Sequence, residues 1–235
     1  MSRQPVHFRD VPSVGADGRK EFVPHSDLDG SGLELRVLVL EPGASEAPRE
    51  VANGRGEVLY VLTGTAELQI DDATYILDQD GAARVPGGTA YVLRGRGEGP
   101  CEIALVSGRA GPEAATPGPV CLDLADQSRH PAVSEREFQL LFHPETGCTG
   151  MTQFVGYVPT VRTPRHTHPY SEMLCIVRGS GLVEIDGQET QVGPGCCYYL
   201  PAGTPHLVQN SGEELLVELG VFTPAGSPTQ NTPVA

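Results

Sequence analysis

No apolar run in the chain approaches the eighteen or so residues that a bilayer-spanning helix needs, and residues 1–10 lack the apolar core of a signal peptide. No stretch rich in lysine or arginine interrupts the acidic background: 30 acidic residues stand against 16 basic ones, a net charge of −14. Nucleic acid and membrane surfaces are therefore poor partners, and a cytoplasmic location is expected. Cysteine is scarce. Cys101, Cys121, Cys148, Cys175, Cys196 and Cys197 form no C-x-x-C pair, so they read as thiols packed in the core or at the surface of a protein in a reducing compartment. Histidine is missing altogether between His25 and His130, which excludes an imidazole-based site from that stretch.

What is present is glycine and proline, 29 and 21 of them, beside 39% hydrophobic residues. That is too turn-rich for a helical bundle and too apolar for disorder, so an all-β fold leads. Short runs with β character fall at residues 33–40, 58–62, 66–70, 74–77, 90–93 and 102–106, and again at 138–142, 151–155, 173–177, 181–185, 197–200 and 215–219. The pair 138–142 and 151–155, around Pro144-Glu-Thr-Gly147, reads as a hairpin. Residues 108–119 are dense in breakers. The resulting division is a polar lead (1–30), a first domain (31–107), a linker (108–134), a second domain (135–224) and a tail (225–235) with nothing to bury, expected to be mobile.

A constant offset of 115 residues aligns the two halves without a gap from Glu57 to Val92: Glu57 meets Glu172, Gly64 meets Gly179, Asp71 meets Asp186, and Pro86, Gly88 and Thr89 meet Pro201, Gly203 and Thr204. The chain is a tandem repeat of one β-domain. Only the second copy carries His166-Thr-His168-Pro-Tyr-Ser-Glu172 followed by His206. In an extended strand positions 166, 168 and 172 share a face, so two imidazoles and a carboxylate converge and a third imidazole from a distant strand can close a site for Fe, Mn, Ni, Cu or Zn.

These residues resemble the two motifs of the cupin superfamily, G-x5-H-x-H-x3-4-E-x6-G and G-x5-P-x-G-x2-H-x3-N. His166, His168, Glu172 and Gly179 fall on the first, and Gly195, Pro201, Gly203, His206 and Asn210 on the second. Thr160 replaces the first motif's leading glycine, a turn residue and not a ligand. The resemblance implies two tandem double-stranded β-helix (jelly-roll) barrels, a bicupin, with His166, His168, Glu172 and His206 holding one divalent transition metal per chain. At the same offset Val51, Asn53 and Tyr91 replace the three histidines in the first barrel, which is then degenerate, with Glu57 a hydrogen-bonded relic. The family also implies a homodimer.

Around the ligands, Tyr170 shares their parity and Tyr198 or Tyr199 precedes the Pro201 turn; each could reach a substrate or fill the barrel. Arg162 and Arg165 flank the histidine pair and could hold an acidic substrate. Cys175, of opposite parity, is expected in the core, and His7, His25, His130 and His143 are expected at the surface or in packing. The reading is a metal-dependent enzyme acting on a small organic molecule. A dioxygenase-type oxidoreductase leads, by analogy with quercetinase-like and germin-like cupins; a non-oxidative isomerase, cyclase, decarboxylase or lyase, and a small-molecule-binding sensor, are the alternatives. Glu172 is either the fourth ligand or a catalytic base that takes the substrate proton.

Overall fold

In the computed structural model, which describes residues 3–112, 118–161 and 163–234, the chain folds as two antiparallel jelly-roll barrels, each made of a large and a small sheet. The first has a seven-stranded sheet centred on Arg55–Thr63 and Cys101–Arg109, faced by a four-stranded sheet of Arg49–Glu50, Ala90–Arg96, Thr65–Ile70 and Ala73–Leu77. The second repeats the plan with Ser171–Arg178, Leu216–Thr223 and Thr152–Val158 in its large sheet, and Gly181–Ile185 and His206–Asn210 in its small one. Glu137–Leu140 and Thr152–Val158 pair as the expected hairpin, with Leu140 opposite Phe154.

The central strands are apolar at nearly every position because both of their faces are buried. Leu59 and Val61 point into the first barrel, whereas Val58, Tyr60 and Leu62 point into a core that lies between the barrels. Leu174 and Ile176 likewise fill the second barrel, while Met173, Cys175 and Val177 join that shared core. Alternation of side chains along each strand thus divides one sequence run between two cores. Polar ties cross the same junction: Arg178 donates to both carboxylate oxygens of Asp80, which also accepts from Tyr60, and His25 Nε2 lies 2.9 Å from Cys197 O.

Three segments read as connections are more structured than their composition suggests. The lead carries Val6–His7, Ser13–Val14 and Arg19–His25, and Val6–His7 pairs with Cys196–Leu200 of the second barrel. The linker contributes Cys121–Asp123 to the first barrel and Arg129–Pro131 to the second, so it is stitched to both; its residues 113–117 lie outside the described ones. The tail is docked, not free: Thr232–Pro233 pairs with His166–Thr167. The tail's attachment runs through hydrogen bonds to its backbone, which leave no hydrophobic pattern to read, whereas the lead and the linker also bury Phe8, Phe22 and Leu124 in the shared core. No helix among the described residues is long and apolar enough to cross a membrane.

Because Met173, Cys175, Val155, Val217 and Leu219 are covered by the first half, residues 135–235 expressed alone should be poorly soluble. Size-exclusion chromatography of that fragment should show aggregate, and a soluble, cooperatively unfolding monomer would contradict the shared core.

Candidate metal centre

The strand parity read from the sequence places the four expected ligands inside the second barrel. Glu172 lies on the face of Ser171–Arg178 that also carries Leu174 and Ile176, and His166 is the cross-strand partner of His206. All four side chains are buried. The His206 ring centroid is 4.4 Å from that of His166 and 4.8 Å from that of His168, and His168 Nε2 is 3.0 Å from Glu172 Oε2. Among the described residues no three His, Cys, Asp or Glu side chains stand as a ready-made cage; the rings are in mutual contact.

Their hydrogen bonding nevertheless fits a metal. His166 Nδ1 lies 3.0 Å from Pro164 O, His168 Nδ1 2.8 Å from Tyr170 O, and His206 Nδ1 2.9 Å from Thr204 O. A carbonyl oxygen only accepts, so each Nδ1 carries the hydrogen and each neutral ring keeps its Nε2 lone pair for a ligand. His168 Nε2 is buried and lies 3.0 Å from Glu172 Oε2, so the two groups are close enough to share one ion. Burial, reinforced by the neighbouring imidazoles, holds His206 well below the usual imidazole range and also lowers His166. Burial opposes the charged form of His168 too, but the Glu172 carboxylate outweighs it and raises the group.

The cluster opens on a cavity of about 60 Å³, space for about two waters at about 30 Å³ each. Phe154 and Tyr170 line the cavity, with Tyr170 stacked on His168 and backed by Phe222, which lies outside the lining. Tyr198 also faces the cavity, whereas Tyr199 points away, to Asp29 and Ser31. Arg165 does not line it: one residue before His166 and on the other side of the extended chain, it pairs with Glu184. Arg162 lies outside the described residues.

Two lining groups escape the motifs. Glu218, on the Leu216–Thr223 strand, is buried at 6% exposure and accepts a hydrogen bond from the Tyr198 hydroxyl at 3.0 Å. Gly156 on the neighbouring strand makes its room, since a Cβ there would come within 3.2 Å of Glu218. Burial pushes the Glu218 carboxyl up to about 7, with Glu172 adding to the rise and Arg136 and Tyr198 opposing it. Arg136 is the second, at the cavity's edge. A glutamate inside the apolar run 215–219, in phase with Leu216, was the signal for the first; nothing in the sequence marked the second.

In the first barrel the corresponding place is filled by an ion pair. Tyr91 donates to Glu57 at 2.6 Å and Arg49 donates to its other oxygen at 3.2 Å. Arg49 is the cross-strand partner of Tyr91, as His166 is of His206. The offset here is 117 and not 115 residues, so Arg49 and Val51, rather than Val51 and Asn53, stand where the two histidines do. Two extra residues before Glu57 account for the slip.

The cupin domain model matches twice, at residues 36–107 and 153–222. The chain belongs to the cupin family. Solved structures of the same bicupin fold include Escherichia coli YlbA, with a TM-score of 0.79 at 14% identity, covering 93% of this chain and 89% of that one. They also include a single-site mutant of Bacillus subtilis oxalate decarboxylase OxdC, at 0.75 and 16% over 100% and 80%, and a putative glyoxylate-induced protein of Pseudomonas aeruginosa, at 0.76 and 15% over 92% and 85%. At these identities the likeness is one of fold. No curated protein is similar in sequence.

The raised Glu218 carboxyl links stability to pH. Its neutral form is favoured in the folded barrel, so its contribution is complete below the ordinary carboxyl value and is lost as pH rises through about 7. In urea unfolding of the metal-free bicupin, Glu218→Gln should therefore gain on the wild type by about 3 kcal/mol between pH 4.5 and 8, at about 1.4 kcal/mol per pH unit; a constant difference would contradict the assignment.

Proposed function

We propose that this bicupin is a metal-dependent enzyme that acts on a small carboxylic or oxo acid by carbonyl polarisation and proton transfer, without oxidation. The observation that carries this reading is the small cavity that sets a buried, hydrogen-bonded carboxyl, Glu218, beside the histidine cluster. His166, His168 and His206 through Nε2, with Glu172, would hold the divalent ion. Bound there, the ion would supply a Lewis acid for the oxygen of the substrate. The fold relatives support the substrate class by analogy: B. subtilis oxalate decarboxylase has Mn(II) centres, and that of Lactobacillus farciminis is known as a formate complex.

The chain's own groups supply the rest. Arg136 at the rim attracts an anion into a protein that is otherwise acidic. The Glu218 carboxyl, held through Oε2 by Tyr198, presents its other oxygen as proton donor and, after transfer, as acceptor. This leaves Glu172 free to act as a ligand. Phe154 and Tyr170 exclude bulk water and strengthen these interactions. The dioxygenase reading stands second: three imidazoles and a carboxylate suit it, but it gives no role to the buried Glu218 carboxyl.

The test is anaerobic incubation of the Mn²⁺-loaded protein with oxalate, glyoxylate and other two- to four-carbon acids, followed by NMR. Turnover without oxygen is expected, and Glu218→Gln should lower it by roughly two to four orders of magnitude while metal is retained. Conversion that requires oxygen, or near-normal turnover in Glu218→Gln, would overturn the reading.

A further inference from the structure

Residues 225–234 lie across the mouth of the metal cavity, and none of them is buried. Hydrogen bonds hold them. Gly226 N–H donates to Thr152 Oγ1 and the Thr152 hydroxyl donates to Gly226 O, both at 3.0 Å. The Tyr170 hydroxyl donates to Pro228 O at 3.3 Å, Thr232–Pro233 pairs with His166–Thr167, and Val234 N–H donates to Arg165 O at 3.1 Å. Between these ties Pro228 and Asn231 face the inner cavity. On the outer side, residues 229–232 wall a larger space of about 490 Å³ together with Thr167, His168, Pro169 and Gly203. Asn231 and His168 line both spaces, so the segment is part of the partition between an outer vestibule and the metal site.

We propose that Asn231 contacts the small acid in the metal cavity, and that the segment 225–234 which delivers it is the gate through which ligand and metal pass. The contact rests on the functional reading above; the gate does not. Most of the other walls are barrel strands whose side chains belong to the buried cores, and they cannot part without loss of packing. The segment has only backbone and hydroxyl ties to break, which places it at the low-stability end of the fold, where opening is local. The Asn231 amide makes no side-chain hydrogen bond among the described residues, and it offers both a donor and an acceptor to a carboxylate or a carbonyl. Closing the gate therefore adds a recognition group at the moment the cavity is sealed.

The gate is tested on the full chain loaded with Mn²⁺, by timing metal removal in excess EDTA. Deleting residues 225–235 should speed removal at least tenfold. Should that variant fold poorly, Thr167→Cys/Thr232→Cys decides the matter: the two positions are cross-strand partners, and Thr167 has the opposite parity to His166 and His168. Its oxidised form should lose metal at least tenfold more slowly than its reduced form, with oxidised wild type as the control. Equal rates would overturn the gate. For the contact, calorimetry with oxalate should show at least tenfold weaker binding to Asn231→Ala with metal release unchanged, and undiminished binding would overturn it. Absence of oxalate binding to the wild type would sink the small-acid reading and the contact with it, while the release rates still decide the gate.

Discussion

Strands buried on both faces are the constraint on which the rest of the structure depends. Because side chains alternate, a run such as 171–178 must satisfy two cores at once, and only the positions of one parity face the barrel interior. Glu172 takes an interior position among Leu174 and Ile176, while Cys175, one parity away, is committed to the core between the barrels. A shift of one residue would exchange those assignments and leave a carboxylate in the apolar junction. The site's register and the docking of the two barrels are thus fixed by the same alternation.

The two barrels solve one electrostatic problem in different ways. Each places a glutamate on the interior face of its corresponding strand, and a buried carboxylate needs a positive partner. In the first barrel the partner is a side chain of the protein itself: the Arg49 guanidinium and the Tyr91 hydroxyl satisfy Glu57, and Arg49 also lies 3.6 Å from Glu46. In the second barrel the positions of Arg49 and Tyr91 are held by His166 and His206, whose Nδ1 atoms are fixed on backbone carbonyls so that Nε2 points inward as a donor of electrons. One barrel carries its cation in its sequence. The other places imidazoles at those positions instead.

Much of this was legible in the sequence for physical reasons. Period-two alternation fixes which residues share a face, so the convergence of positions 166, 168 and 172 and the exclusion of Cys175 both follow from parity. The 115-residue repeat revealed the tandem plan because glycine and proline turns constrain the backbone regardless of what the barrel holds. Other features left no trace of that kind. Gly81–Pro86 is a strand made mostly of small residues, and Gln188–Val192 is a polar edge strand with one buried position; neither has a hydrophobic pattern. The segment 225–234 docks through backbone groups that every sequence possesses. Nearness in sequence to a ligand says nothing about which side of the strand a residue takes, which is why Arg165 faces away from the site, whereas Glu218 lay in plain view as a charge in phase with an apolar face.

At the centre stands the proposal that the second barrel alone holds an ion, through three imidazoles and Glu172. Equilibrium counting of bound Mn²⁺ per chain, in wild type and in His206→Ala, tests it without reference to any substrate. One equivalent is expected in the wild type, with binding weakened at least tenfold in the variant; two equivalents, or one that survives the substitution undiminished, would contradict it.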